Sequence, residues 1–295
     1  MVRRRPLAAA AGVLADLALG EPPLHPHPVA AFGALMAAVE RPLYRDTRAA
    51  GTAHAATGVL AGVTAGAAVG STAVATYLAV AVRALGRAAL DVEDALGRGD
   101  LPAARRLLPV LVGRDPEGLD EGEIARAVVE SVAENSVDAL VAPALWGALA
   151  GAPGALGYRA ANTMDAAVGH RSPRYLRYGW ASARLDDAAN LLPARVTAML
   201  VAAVRPSSVR AVLRAVRQDA PAHPSPNAGV AEAAFAAALG LRLGGTNRYG
   251  DRVESRPPLG SGRPPGACDI ARSVRLSRDV ALALVAALAL GGTVA

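Results

Sequence analysis

The 31 basic residues of this 295-residue chain are all arginine; lysine does not occur. That absence excludes a phosphate-binding P-loop, which needs a lysine after its glycines, and any lysine nucleophile or Schiff base. A basic side chain that meets a phosphate or carboxylate here must be an arginine, whose planar fork grips such groups bidentately. Cysteine occurs once, as Cys268, so an intrachain disulfide and a cysteine-based zinc site are both excluded. The chemistry falls to oxygen and nitrogen groups. Aromatic residues make up only 3% of the chain. With few rings to stack bases on and its arginines scattered, the formal net charge of +6 points away from nucleic acid. Short basic flanks beside apolar runs, Arg3-Arg4-Arg5 and Arg83 with Arg87, fit the cytoplasmic side of a membrane protein.

Charge is scarce as well. Charged residues are 19% and hydrophobic ones 53%, against roughly 25% charged in a soluble domain. Residues 55–82 form a run of 28 without a charge, beyond the roughly 20 needed to cross a bilayer. Within it Gly58, Gly62, Gly66 and Gly70 recur every fourth position, a stripe that admits another helix at close range, either within this chain or from a second copy. Residues 139–158 are also uncharged; Pro143, Pro153 and four glycines make this a kinked span or a broken, re-entrant pair. Residues 280–295 are apolar but slightly short. Weaker candidates, 6–20, 188–204 and 228–243, carry Asp16, Arg195 and Glu232, which should face a protein interior. Asp16 and the following Glu21-Pro22-Pro23 argue for a retained first helix rather than a cleaved signal.

The expected architecture is an all-α, polytopic membrane helical bundle of four to six embedded helices in the cell membrane. It forms one domain over 1–295, with 83–138 and 205–266 as polar, largely cytoplasmic regions. Residues 205–219 are basic and amphipathic, suited to a membrane surface. Residues 244–266, rich in glycine, proline and arginine, read as loop, and no strand alternation stands out.

Four polar clusters flank the apolar runs. In the first, Asp120 with Glu123 resembles a capping box, and Glu130, Glu134 and Asp138 then follow at helical spacing. Like charges so spaced repel; Arg126 can pair with Glu130, but nothing local serves Glu134 or Asp138. This is either a solvated face or a cation site, and carboxylates with few contacts suit magnesium. In the second, Asn162 and Asp165 lie three apart, as a cap or a ligand pair. In the third, Asp186, Asp187 and Asn190 stand between Arg184 and Arg195, with Pro193 to kink or start a helix. This is either an Arg–Asp network or a set of metal ligands and phosphate clamps. In the fourth, His223, Ser225 and Asn227 alternate with prolines in a rigid loop, His223 being a general base or a hydrogen-bonding loop residue. His25 and His27 are a weak metal signal.

The chain resembles adenosylcobinamide-phosphate synthase, the CobD/CbiB family of cobalamin biosynthesis. The resemblance rests on Asp16-Leu17 with Leu19-Gly20-Glu21-Pro22, His27-Pro28-Val29 and Gly33. It continues through Gly113-Arg114-Asp115, Val129-Glu130-Ser131 and Ala133-Glu134-Asn135 with Asp138. Further on stand Asn162-Thr163-Met164-Asp165 with Val168-Gly169, and Ala183-Arg184 with Asp186-Asp187, Asn190 and Pro193-Ala194-Arg195. Last come Ser225-Pro226-Asn227-Ala228-Gly229, Leu243-Gly244-Gly245 and Tyr249-Gly250. Three departures stand out: Ala166-Ala167 after Asp165 removes a usual serine, His170-Arg171 replaces Tyr-Lys, and Pro116 replaces a threonine.

The resemblance implies a ligase that uses ATP and Mg2+ to join adenosylcobyric acid to (R)-1-amino-2-propanol or its O-phosphate. It implies Glu130, Glu134, Asp138, Asp186, Asp187 and His223 as catalytic candidates, with Glu134, Asp138 and Asp187 on the metal. Arg114, Asn135, Asn162, Asp165, Arg184, Asn190, Arg195, Ser225 and Asn227 would hold nucleotide or substrate. The partners implied are the corrinoid, the aminopropanol and membrane lipid, with a homo-oligomer open. The alternatives are a non-catalytic membrane sensor related to the same family and a transporter with a polar midplane site; the latter should show inverted repeats, and none is visible.

Overall fold

The computed structural model describes residues 4–249 and 252–294; Arg3 of the basic flank, Gly250 of the Tyr-Gly motif and Ala295 lie outside the described residues. The helices are, in order, α1 (Arg5–Leu19), α2 (Pro28–Leu43), α3 (Arg48–Val69), α4 (Thr72–Ala79), α5 (Val82–Gly97), α6 (Leu101–Leu107), α7 (Glu121–Ser136), α8 (Ala142–Val168), α9 (Trp180–Val204), α10 (Val209–Gln218), α11 (Ala228–Leu239) and α12 (Ala267–Val294). A π segment, Val137–Val141, joins α7 to α8, and an antiparallel hairpin, β1 (Leu243–Tyr249) with β2 (Arg252–Leu259), precedes α12. Four stretches are long and apolar enough to cross a membrane: Arg48–Val69, Thr72–Gly97, Glu121–Val168 and Trp180–Val204. This is the all-α polytopic membrane architecture expected. The run 55–82 does not make one span, however. Gly70 ends α3 in a left-handed conformation at φ 68°, and Ser71 caps the next helix by accepting from Val74 N at 3.4 Å.

The chain divides into two compact units. The first holds Met1–Ala81, Asp138–Pro193 and Leu284–Ala295; the second holds Val82–Val137 and Ala194–Ala283. In the first unit α8 packs against α1, α2, α3 and α4. The glycine stripe of α3 makes the α8 contact possible. A Cβ built on Gly62 would lie 2.6 Å from Ala160 Cβ and 2.7 Å from the Leu156 carbonyl, and one on Gly58 would strike Met164 Sδ. The stripe therefore serves an internal contact, and Gly70 stands outside it as the helix cap.

Prolines inside these helices are accommodated by a common device. A proline offers no N–H to the carbonyl four residues earlier, and in an apolar surround an unsatisfied carbonyl is expensive. Pro143 withholds a donor from Ala139, whose oxygen accepts from Ala81 N at 3.0 Å. Pro153 does the same to Leu149, whose oxygen accepts from Arg5 Nη1 at 3.2 Å. Here α8 kinks at Gly151, φ 73°, so the run 139–158 is a kinked helix. Pro193 frees Ala189, whose oxygen accepts from Trp146 Nε1 at 3.1 Å.

In the second unit α7 packs on α5, α6, α11 and β1. Its start is the capping box that the sequence suggests: Glu123 N donates to Asp120 Oδ1 at 2.7 Å and Asp120 N to Glu123 Oε2 at 3.0 Å. The polar region 83–138 is helical through α5, α6 and α7. Residues 244–266 depart from the loop reading, since β1 and β2 occupy most of that stretch. The buried positions of β1 are Leu243 and the polar Asn247, 2% exposed, so hydropathy does not reveal the strand. Asp16 and Glu232 are fully buried, as expected of ionisable groups in apolar helices, whereas Arg195 is exposed and departs from that expectation. Helix α11, at 12 residues, spans only about 18 Å and is too short to cross the bilayer.

Trp146→Phe removes the donor to the Ala189 carbonyl and should destabilise the protein by roughly 1–3 kcal/mol. In a Pro193→Ala background, where the backbone N–H is restored, the same change should have a smaller effect. A double-mutant cycle by thermal melts in detergent measures the difference; equal effects in both backgrounds would sink the account.

Candidate functional site

Each unit carries one polar network, and the two differ in chemistry. In the first unit the network runs across α8 and α9. Tyr158 OH donates to Asn190 Oδ1 at 2.8 Å and lies 3.5 Å from Asp138 Oδ1. Asn190 Nδ2 donates to Asp186 Oδ2 at 3.0 Å, and Asn162 Nδ2 donates to Asp186 Oδ1 at 3.2 Å. Arg159 Nη1 closes the far end on Asn162 Oδ1 at 3.3 Å. Helical spacing explains the arrangement: Asp186 and Asn190 are one turn apart on α9, while Tyr158 and Asn162 are one turn apart on α8. Asp186 and Asn190 are buried. Asp165 feels the charges of both Asp186 and Asp187; Arg184 Nη1 reaches Asp187 Oδ2 at 3.5 Å. Amides rather than arginines hold Asp186, and carboxylate oxygen outweighs contacting cation. That donor set fits a hard divalent ion bound through one or two carboxylates.

The second unit's network is built on arginine. Glu130, 1% exposed, accepts at Oε2 from Arg114 Nη2 at 2.5 Å, and at Oε1 from Arg126 Nη1 at 3.2 Å and Gly244 N at 2.9 Å. Asn247 Oδ1 accepts from the same two arginines at 2.9 and 3.0 Å, and the Thr246 carbonyl accepts from Arg126 Nη2 at 2.9 Å. A buried carboxylate is stable only when paired and hydrogen-bonded, and here α7, the 111–115 segment and β1 all converge on one. Asn135 Nδ2 turns back to the Ser131 carbonyl at 2.9 Å.

One turn beyond Glu130, Glu134 lies 3.6 Å from Arg256 Nη1, and Arg256 in turn lies 3.7 Å from the buried Glu232. His223 Nε2 is 3.5 Å from Glu232 Oε1. Burial and the Arg256 charge push the His223 imidazole below its ordinary range. Burial, with the negative charges of Glu134 and Glu130, pushes the Glu232 carboxyl well above its own. Both groups are therefore held neutral. His223 Nδ1 lies 3.1 Å from Ser225 N and 3.2 Å from the Ser225 carbonyl oxygen, so the ring is tied to its own loop. Ser225 Oγ accepts from Asn227 N and Ala228 N at 3.3 and 3.2 Å, capping α11, and Asn227 Oδ1 accepts from Arg195 Nη1 at 2.9 Å.

The structure thus gathers Asp138, Asn162, Asp186 and Asn190 in the first unit, with Asp165, Asp187 and Arg184 alongside. In the second it joins Arg114 to Glu130, Arg195 to Asn227, and His223 to Ser225. Glu134 belongs to the second unit beside Arg256, whereas Asp138 and Asp187 belong to the first. Among the described residues no three His, Cys, Asp or Glu side chains are grouped to hold a metal ion. Asp138 lies within the π segment Val137–Val141, where the regular helical spacing from Glu134 ends. Sequence reasoning missed Tyr158, Asn247, Glu232 and Arg256 as network members. Glu232, a lone carboxylate in an otherwise apolar run, carried a readable signal; Asn247 and Arg256 had none, because Asn247 meets Arg114 and Arg126, and Arg256 meets Glu134, across more than a hundred residues.

Four apolar stretches able to cross a membrane, together with buried carboxylate–amide and arginine networks, define a polytopic all-α membrane protein. The CobD/Cbib protein family matches residues 9–277, and the chain belongs to this CobD/CbiB family. It is 49% identical over 282 residues to the cobalamin biosynthesis protein CobD of Mycobacterium tuberculosis, covering 91% of this chain and 90% of that one. It is 43% identical over 272 residues to the CobD of Geobacter metallireducens, covering 86% of each, and 42% identical over 302 residues to that of Chromobacterium violaceum, covering 95% and 96%. No solved structure matches.

The raised carboxyl of Glu232 has a consequence for stability. Its folded form keeps a proton that the unfolded chain releases above the ordinary value of 4.5. Its contribution is therefore complete below that value and is lost as pH rises toward the folded-state value. Glu232→Gln, neutral at every pH, should flatten the fall in melting temperature as pH rises above 4.5 toward the folded-state value. Melting curves for the two proteins that stay parallel over that range would contradict the neutral carboxyl.

Proposed function

We propose that the protein is an ATP-dependent, amide-forming ligase of cobalamin biosynthesis in the cell membrane. It would join adenosylcobyric acid to (R)-1-amino-2-propanol or its O-phosphate. The observation that carries the reading is the family match over residues 9–277, with relatives at 40–49% identity that bear the name cobalamin biosynthesis protein. The donor sets support it. A carboxylate is a poor electrophile at neutral pH. Its oxygen attacks the terminal phosphorus of ATP, ADP leaves, and the resulting acyl phosphate is open to an amine. The amine attacks the carbonyl carbon, phosphate leaves, and one proton passes to a base.

Asp186 suits the base. Amides from Asn162 and Asn190 orient both of its oxygens, and each oxygen keeps a further lone pair for a proton. Magnesium, when bound, would neutralise charge on the transferring phosphoryl group; Asp187 and Asp165 are the carboxylates suited to hold it. Tyr158 and Arg159 lock the two amides from either end. With lysine absent from the chain, arginine is the side chain that meets phosphate.

Purified protein in detergent, supplied with ATP, magnesium, the corrinoid acid and the aminopropanol phosphate, should consume ATP and form the amide, read by liquid chromatography and mass spectrometry. Asp187→Ala should lower turnover by roughly 100-fold or more with an unchanged melting temperature. Folded wild-type protein without turnover in any detergent would count against the ligase, and normal turnover by the variant against the metal assignment.

A further inference from the structure

The second unit contains a cleft of about 410 Å³ whose lining includes Arg126, Arg242 and Arg256, the Gly244-Gly245 pair and Pro258. Its volume is within the range of small-ligand pockets, roughly 300–1,000 Å³. We propose that this cleft binds the phosphate group of a phosphorylated ligand, with Arg242 and Arg256 as its charge contacts and the face of the Arg126 guanidinium as its floor. The proposal deepens the ligase reading by assigning the phosphate-bearing substrate to named residues of one unit.

The geometry of Arg126 is the first argument. Three of its five N–H groups are spent on protein: Nη1 on Glu130 and Asn247, Nη2 on the Thr246 carbonyl. These bonds fix the guanidinium plane before any ligand arrives. Gly245 leaves the face of that plane open. A Cβ built on Gly245 would stand 3.8 Å from Arg126 Cζ, 3.9 Å from Nη1 and 4.0 Å from Nε. Three atoms of the plane at nearly equal distance mean that the side chain would lie over the face and cover it. Glycine here has a second cause as well, since Gly244 and Gly245 take φ values of 84° and 112° at the bulge in β1, and a Cβ on Gly244 would strike the Pro257 carbonyl.

Charge is the second argument. Three arginines line the cleft with two carboxylates, Asp120 and Glu123, and those two are tied into the capping box at the start of α7; Arg126 is paired with Glu130 and Arg256 lies 3.6 Å from Glu134 and 3.7 Å from Glu232, so Arg242 is the main charge contact. Arg242 is exposed, so its fork can close on a ligand bidentately. A rigid cationic floor with an adaptable cationic arm matches a phosphate ester. In a chain without lysine such a group has no other basic partner.

The test is a binding measurement on the full chain in detergent, separate from turnover. Calorimetry would compare a non-hydrolysable ATP analogue, 1-amino-2-propanol O-phosphate and unphosphorylated 1-amino-2-propanol. Wild type should bind at least one phosphorylated probe, and Arg242→Ala should weaken that binding roughly 10- to 100-fold, with the unphosphorylated amine unaffected and the melting temperature unchanged. Arg242→Lys should recover part of the loss. Loss confined to the ATP analogue names the nucleotide as the occupant, and loss confined to the aminopropanol phosphate names the amine substrate. Equal affinity of wild type and Arg242→Ala for every phosphorylated probe, or no binding of any by wild type, overturns the proposal. Amide formation by that same protein would still uphold the ligase reading, so the two fail separately.

Discussion

Every polar group placed among apolar helices must find a partner inside the protein, and most of the specific architecture here answers that demand. The backbone makes the point first. Three prolines each remove a donor from the carbonyl four residues earlier, and each carbonyl is taken by a group remote in sequence: Ala139 by the Ala81 amide, Leu149 by Arg5, Ala189 by Trp146. These bonds tie the N-terminal helix, the α4–α5 junction and the first half of α9 to α8. A helix interrupted this way becomes an attachment point for its neighbours.

Side chains obey the same demand by two different routes. Glu130 is neutralised by two arginines and a backbone amide, and Asn247 joins those arginines from the other side. Asp186 is held by two neutral amides. An arginine-bound carboxylate is electrostatically satisfied and serves as an anchor, whereas an amide-held carboxylate keeps its charge available to a cation or a proton. This difference separates Glu130, anchored by arginine, from Asp186, held by amides, although both are buried acids. Glu232 and His223 follow a third route, shedding charge altogether.

Much of this was legible in the chain itself. The α7 capping box, the Arg126–Glu130 pair, the kink near Pro153 and the glycine stripe of α3 all depend on neighbours within a few turns or on residue type alone. The families of partners suggested by Asp186, Asn190 and Asn162 were legible too, because helical spacing puts them on usable faces. The hairpin was not, because its inward residue is a polar Asn247 that makes sense only against Arg114 and Arg126. The surroundings of the Glu130, Glu134 and Asp138 face were not legible, because Asp138 lies in a π segment and Arg256, far along the chain, meets Glu134.

The sequence by itself determined the chemistry available and the solvent: arginine as the basic partner for phosphate, oxygen and nitrogen as donors, apolar helices able to span a bilayer, and motifs in the order of the CobD/CbiB family. Those follow from composition and local spacing, which need no long-range contact to be read. Only the tertiary structure decided which carboxylates are anchored by arginine, which are held by amides and which are neutral. Charge state and reactivity depend on what lies within a few ångströms, and in a polytopic chain those neighbours arrive from distant segments.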